Sequence, residues 1–180
     1  MIETERLVLR SWRDSDLAPF QQICSDPDVM ATLGPPLDMA ATATRIEWMQ
    51  RHESEHGHCF WALERRDDAR LIGWCGVIRG DIDPVRDKLE IGWRLARDCW
   101  GAGYASEAAR SAAAWCFANR DDDEIRAITW EGNVRSRAVM ERLGMRYCTG
   151  LDFDHPKLDA GDRLRRHVTY SLSRADWVGI

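Results

Sequence analysis

Glu90–Ala108 reads EIGWRLARDCWGAGYASEA, and this stretch decides how the rest of the chain is read. Its first residues alternate as a strand does, so Glu90 points away from the face shared by Leu89 and Ile91. A short link follows, and Gly101-Ala102-Gly103 then opens a helix. The first N–H groups of a helix have no partner inside it, and the helix dipole leaves positive potential there. Glycines let the main chain come close to an anion, so the loop suits a pyrophosphate. A tight strand-to-helix turn is the plainer alternative. Two nucleotide signatures are excluded: Ser106 stands at the third glycine of a dinucleotide fingerprint, and the Gly-Lys-Ser/Thr of a P-loop is absent.

Downstream, Ala105, Ala108, Ala109, Ala112 and Cys116 recur at helical spacing and predict a face of small residues lying close on a sheet. Ile125–Trp130 reads as a strand, and Asn133–Leu143 as a helix with Asn133 as N-cap and Gly144 past its end. Ser136 shares the inward face of Val139, Met140 and Leu143, where a hydroxyl needs a partner, either in the capping region or on a ligand. Arg146–Phe153 and Arg165–Leu172 read as strands. Upstream, Arg6–Trp12 is strand-like, and Asp14 or Ser15 is the expected cap of a helix to about Cys24. A short helical turn lies between Asp26-Pro27 and Gly34-Pro35-Pro36. A helix over Met39–Glu55 follows, then strands over Cys59–Glu64, Arg70–Arg79 and Lys88–Leu95. The order predicts an α/β (α+β) fold of about seven strands and about four helices, with a helical crossover joining the fourth and fifth strands.

The 180 residues, 44% hydrophobic and 31% charged, fit a single domain over 1–180 and exclude a disordered or low-complexity chain. No apolar run is long enough to span a membrane, and the opening Met-Ile-Glu-Thr-Glu-Arg lacks the pattern of a signal peptide, so a soluble cytoplasmic protein is expected. The six cysteines form no C-x-x-C pair and read as small buried hydrophobes. A net charge of −5 argues against nucleic acid as a partner.

The glycine loop, followed by NVRSRAVMERLGM from Asn133 to Met145, and preceded by TERLVLRSW and the strand EIGWRL, resembles the GNAT acyl-CoA N-acyltransferases over nearly the whole chain. Within them it is similar to the ribosomal-protein-alanine (RimJ/RimL-like) branch. The resemblance implies a strongly twisted mixed sheet whose fourth and fifth strands splay to admit acetyl-CoA. It implies main-chain contacts from Trp93–Leu95 to the pantetheine amides. N–H groups of Arg97 through Gly101, Ala102, Gly103, Tyr104 and Ala105 would hold the pyrophosphate, and Asn133 would lie near the thioester. Two departures stand out: Trp100 occupies the family's usual Gln/Arg position, and Met140 replaces a tyrosine that protonates the leaving thiolate in many members. The resemblance moves that role to Ser136 and makes Glu90 the base that takes the amine's proton; for Glu90 the alternative is a solvated strand carboxylate.

The expected reaction is direct transfer of an acetyl group to a primary amine, a small molecule or a protein N-terminus, by a monomer or homodimer without a metal. Three rivals are left. One is a non-catalytic acyl-CoA sensor of the same fold. Another is ping-pong chemistry on Cys99, the thiol nearest the loop. The third is a zinc hydrolase, since His52–His56 spells HESEH. The acceptor pocket is expected from Met39–Glu55 and Asp152–Asp162, whose acids would favour a cationic amine.

Overall fold

A computed structural model describes residues 1–179. Short strands β1 (Ile2–Glu3) and β2 (Leu7–Arg10) lead through a 3-10 turn at Asp14–Asp16 into helices α1 (Leu17–Ser25), α2 (Pro27–Met30) and α3 (Met39–His56). Three antiparallel strands follow, β3 (Phe60–Arg65), β4 (Arg70–Arg79) and β5 (Leu89–Leu95). A 3-10 turn at Arg97–Cys99 leads to α4 (Tyr104–Asn119), then β6 (Glu124–Trp130), α5 (Val134–Arg142), β7 (Arg146–Tyr147), β8 (Phe153–Asp154) and β9 (Arg166–Ser173). Among the described residues nine strands form one sheet in the order β1-β2-β3-β4-β5-β6-β9-β7, with β8 beside β9. Among these nine strands the single parallel pair is β5·β6, and α4 is the crossover that a parallel connection demands.

The small-residue face of α4 is real: Ala108, Ala109, Ala112, Ala113 and Cys116 are buried against the sheet, with Ala105 only partly covered. No described helix is long and apolar enough to cross a membrane. Five of the six cysteines are buried, and Cys148 is half-exposed.

Two local expectations are corrected. Neither Asp14 nor Ser15 caps α1; the carboxylate that organises this turn is Asp16. It is buried, accepts the Arg13 N–H at 2.8 Å and pairs with Arg10 at 2.7 and 2.9 Å. Burying a guanidinium costs stability unless it is paired, and Arg10 meets that need by holding Glu64 as well, at 2.8 Å. The strand expected over Arg146–Phe153 is broken into β7 and β8. A turn closes between them, with Leu151 N–H donating to Cys148 O at 2.9 Å, and Thr169 of β9 bonds into the turn through both its carbonyl and its hydroxyl.

Candidate active site

β5 and β6 pair only at Leu89↔Ile125 and Glu90↔Arg126. Beyond those residues each strand stays paired on its other side, β5 with β4 and β6 with β9, while the facing edges separate. Peptide groups alternate between the two edges of a strand. Ala96 N–H donates to Ile72 O on the β4 side at 2.8 Å, so Trp93 and Leu95 turn their peptide groups into the opening. The Leu95 carbonyl there accepts the Trp100 indole N–H at 2.9 Å, which gives the tryptophan at the family's Gln/Arg position a structural task.

At the wide end of the opening lies the glycine loop. Gly101 and Gly103 have φ of 78° and 85°, a region that disfavours side chains. Cys99 and Trp100 N–H groups are engaged within the 3-10 turn, on Ala96 O and Arg97 O, which removes both from the row of donors expected to start at Arg97. From Gly101 through Ala102, Gly103, Tyr104, Ala105 and Ser106 the N–H groups have no acceptor among the described residues, and α4 begins without a side-chain cap. Arginines surround this row. Arg97 lies over the Trp100 ring at 4.9 Å and pairs with Asp28, and Arg135 lies over the same ring at 4.7 Å. Arg6 pairs with Glu107 at 2.6 Å, donates to Ala102 O and covers the Tyr104 ring at 4.6 Å. The Arg6–Glu107 clamp was not foreseen from sequence: its partners stand in two separate motifs a hundred residues apart, and nothing in either says that the two meet.

From the loop a cleft of about 1520 Å³ runs along β5 to Glu90, between α2–α3 on one side and α5 on the other. Glu90 is half-buried in its wall, with no hydrogen-bond partner for its carboxylate among the described residues. Burial pushes its pKa up to about 7; the nearby Asp81 charge adds to the rise and Lys157 opposes it. Glu90 thus stands in the cleft wall, partly covered. Ser136 lines the same cleft. Its N–H, not its hydroxyl, bonds to Asn133 Oδ1 at 3.2 Å, and the hydroxyl has no partner among the described residues. Asn133 is the cap of α5, and its Nδ2 holds Thr32 at 3.2 Å and Thr129 at 3.0 Å, clamping the helix to β6 and to the loop after α2.

The acids of Asp152–Asp162 do not line the cleft as expected. Asp154 is held by Arg165 and Arg166, and Asp152 accepts the Tyr147 hydroxyl. From that segment His155 and Lys157 reach the cleft, and Lys157 bridges to Asp81, in the loop between β4 and β5, at 2.6 Å.

The HESEH segment carries no zinc site. His52 Nε2 accepts the Arg79 N–H at 3.2 Å, which leaves Nδ1 as the protonated nitrogen that donates to His58 O at 2.9 Å. Both ring nitrogens are thus committed to main chain, and burial lowers the His52 pKa and takes that of His58 to about 4. Among the described residues no group of three or more His, Cys, Asp or Glu could hold a metal. The Cys99 thiol is buried and burial raises its pKa, the opposite of an activated nucleophile.

Comparison with known proteins gives the family and the fold. The family model of the acetyltransferase (GNAT) domain matches residues 6–146. YkkB of Bacillus subtilis strain 168 is 35% identical over 145 residues, 80% of this chain and 84% of that protein. The N-acetyltransferase p20 of Bacillus licheniformis is 28% identical over 98% of this chain and 97% of its own length. The crystal structure of a GNAT-family acetyltransferase from Bacillus anthracis superposes with a TM-score of 0.79 at 23% identity, covering 96% of this chain and 97% of that one, which shows a shared fold.

Proposed function

The chain belongs to the GNAT acetyltransferase family, and from that premise we propose that it moves an acetyl group from acetyl-CoA to a primary amine with both substrates bound together. The observation that carries the reading is one continuous cleft with unengaged main-chain N–H groups at one end and a carboxyl tuned to about 7 at the other. The residues present fit acetyl-CoA. The diphosphate would take the N–H groups of Gly101–Ser106, reinforced by the dipole of α4. The pantetheine amides would take the open edge of β5 at Trp93 and Leu95. When bound, acetyl-CoA supplies an acyl group activated as a thioester.

The chain's own residues do the rest. Holding amine and acyl group side by side replaces a bimolecular encounter by a positioned one. Most primary amines are protonated at neutral pH, and Glu90, whose pKa burial raises toward neutrality, accepts the proton that must leave nitrogen. The free Ser136 hydroxyl is the donor for the departing sulfur. We read 1–180 as one domain, supported by a sheet that is continuous from Ile2 to Ser173. The likeness to the ribosomal-protein-alanine branch rests on the sequence motifs and leaves a protein N-terminus among the acceptor classes.

Thermal melting tests the reading. A ligand that binds only the native state adds RT ln(1 + [L]/Kd), about 2.7 kcal/mol at a hundredfold excess over Kd. At about 2–4 °C per kcal/mol for a chain of this size, acetyl-CoA and CoA should each raise the midpoint by several degrees. Adenosine, without a diphosphate, should not. No response to either CoA species would refute the assignment, and an amine panel read by CoA release then tests turnover.

A further inference from the structure

Resting on the acetyltransferase reading, we infer that Arg94 binds an anionic group of the acceptor, so that the acceptor is an amine that also carries a carboxylate. Arg94 lies on β5 four residues after Glu90, on the same face of the strand, and both line the cleft. Between them Gly92 leaves room for the stacked rings of Phe60 and Trp74, whose centroids are 4.2 Å apart; a Cβ at Gly92 would meet both rings at 3.2 Å. The floor of the acceptor end is thus an aromatic platform with a carboxyl at one end and a guanidinium at the other.

What marks Arg94 is the lack of a counter-ion. Its Nε is fully buried with no hydrogen-bond partner, and its one hydrogen bond among the described residues runs from Nη1 to the Cys24 Sγ at 3.1 Å. That sulfur is no anion, since burial raises the thiol pKa despite the nearby arginine. Asp28, another acid that lines the cleft, is engaged by Arg97. Arg45 of α3, without an ion pair among the described residues, lines the same cleft and adds positive charge. Other arginines drawn into the protein find oxygens: Arg10 has Asp16 and Glu64, Arg79 has Asp122, Arg126 has Glu124, and Arg120 and Arg174, which have no acid among the described residues, donate to main-chain carbonyls. An unpaired guanidinium in a low-dielectric wall is costly, and a planar fork of donors is suited to a carboxylate arriving from solvent. Along the strand the backbones of Glu90 and Arg94 are about 13 Å apart, a span that suits a chain of several atoms between amine and carboxylate.

The experiment compares straight-chain ω-amino acids of increasing length with alkylamines of matching length, using the full chain and acetyl-CoA. In the wild type one of the amino acids should exceed its alkylamine at least tenfold in kcat/KM, through KM. Arg94→Gln should erase that preference with the KM for acetyl-CoA unchanged, and Arg94→Lys should restore part of it. A wild type that prefers the alkylamines overturns the proposal. So does an Arg94→Gln variant whose acetyl-CoA KM rises instead, since the anion would then be the CoA diphosphate. A second measurement needs no turnover: with CoA saturating, sodium acetate should raise the melting midpoint of the wild type above sodium chloride of equal ionic strength, and should not do so for Arg94→Gln. Equal responses overturn the proposal, as does a fall of several degrees in the midpoint of Arg94→Gln itself, which would mark a structural arginine. Absence of any CoA shift would instead remove the acetyltransferase reading, so the two failures are separable.

Discussion

The two ends of the cleft are made of different material. Around Gly101–Ser106 the chain offers main-chain N–H groups, and residue identity matters chiefly through the two glycines whose positive φ points those groups one way. Around Glu90 and Arg94 it offers side chains, and their behaviour depends on what four other segments bring near: Asp81, Lys157, Cys24 and Arg45. A main-chain site tolerates exchange of its neighbours, which is why Trp100 can stand at the Gln/Arg position and take up a purely structural bond to Leu95. A side-chain site has no such tolerance, because each ionisation state is set by burial and by the next charge.

The sharpest way to break this contrast is Glu90→Gln. It should lower kcat by about 10²-fold, the size of a lost general base, and leave acetyl-CoA binding intact. The wild-type rate should climb as pH rises through about 7, because only the ionised carboxylate accepts a proton, and the variant should lose that limb. Stability moves the other way. The folded pKa lies above the ordinary carboxylate value of 4.5, so the folded state holds its proton longer than the unfolded chain and loses stability as pH climbs between 4.5 and about 7. Glu90→Gln should therefore melt above the wild type at pH 8, with the gap closing toward pH 4. Full activity in this variant would mean that the acceptor end, too, works through main chain or water.

The same contrast explains what could be read from sequence. The glycine loop is local: strand, two glycines and a helix of small residues stand in one continuous stretch, so the helix start and its unpaired donors were legible. The parallel pair of β5 and β6 was legible from chain order, since a helical crossover between adjacent strands makes them parallel, whereas their opening was implied only by the family resemblance. The acceptor end was not. Glu90, Gly92 and Arg94 show the period of a strand, but nothing nearby in sequence says that Arg94 lacks an acid or that the acids near Asp154 are held by Arg165 and Arg166. Those facts depend on contacts across the whole chain. Broken strands are illegible for a similar reason: the turn between β7 and β8 is held by Thr169, far away in sequence.

Gly103→Val sharpens the comparison from the other end. Its Cβ would meet Arg6 Nη2 at 3.5 Å, ordinary contact, so the protein itself has room. The cost is a branched side chain at a φ of 85°, about 1–3 kcal/mol of strain that turns the N–H groups away. The Kd for CoA should rise about tenfold or more, with far-UV circular dichroism unchanged and the acceptor KM hardly moved. Ser136→Ala comes next, a drop of a few-fold in kcat at constant Kd for CoA. A thiolate leaves readily, and the free hydroxyl has little to add beyond one proton donor.

The smallest effect belongs to Cys99→Ala, and it tests whether the main-chain end hides any side-chain chemistry. Cys99 is the thiol nearest the loop and lines the cleft, yet its sulfur is buried, its pKa is raised by that burial, and Asp98 beside it disfavours a thiolate further. A nucleophile needs the opposite surroundings, a positive neighbour and access. The Ala variant should keep kcat within a few-fold. Initial-rate plots against the two substrates should intersect for both proteins, as transfer within a ternary complex requires. Parallel lines with an acetylated Cys99 peptide in the mass spectrum would put a covalent step at the glycine-loop end, and the division between a main-chain site that binds and a side-chain site that reacts would fall with it.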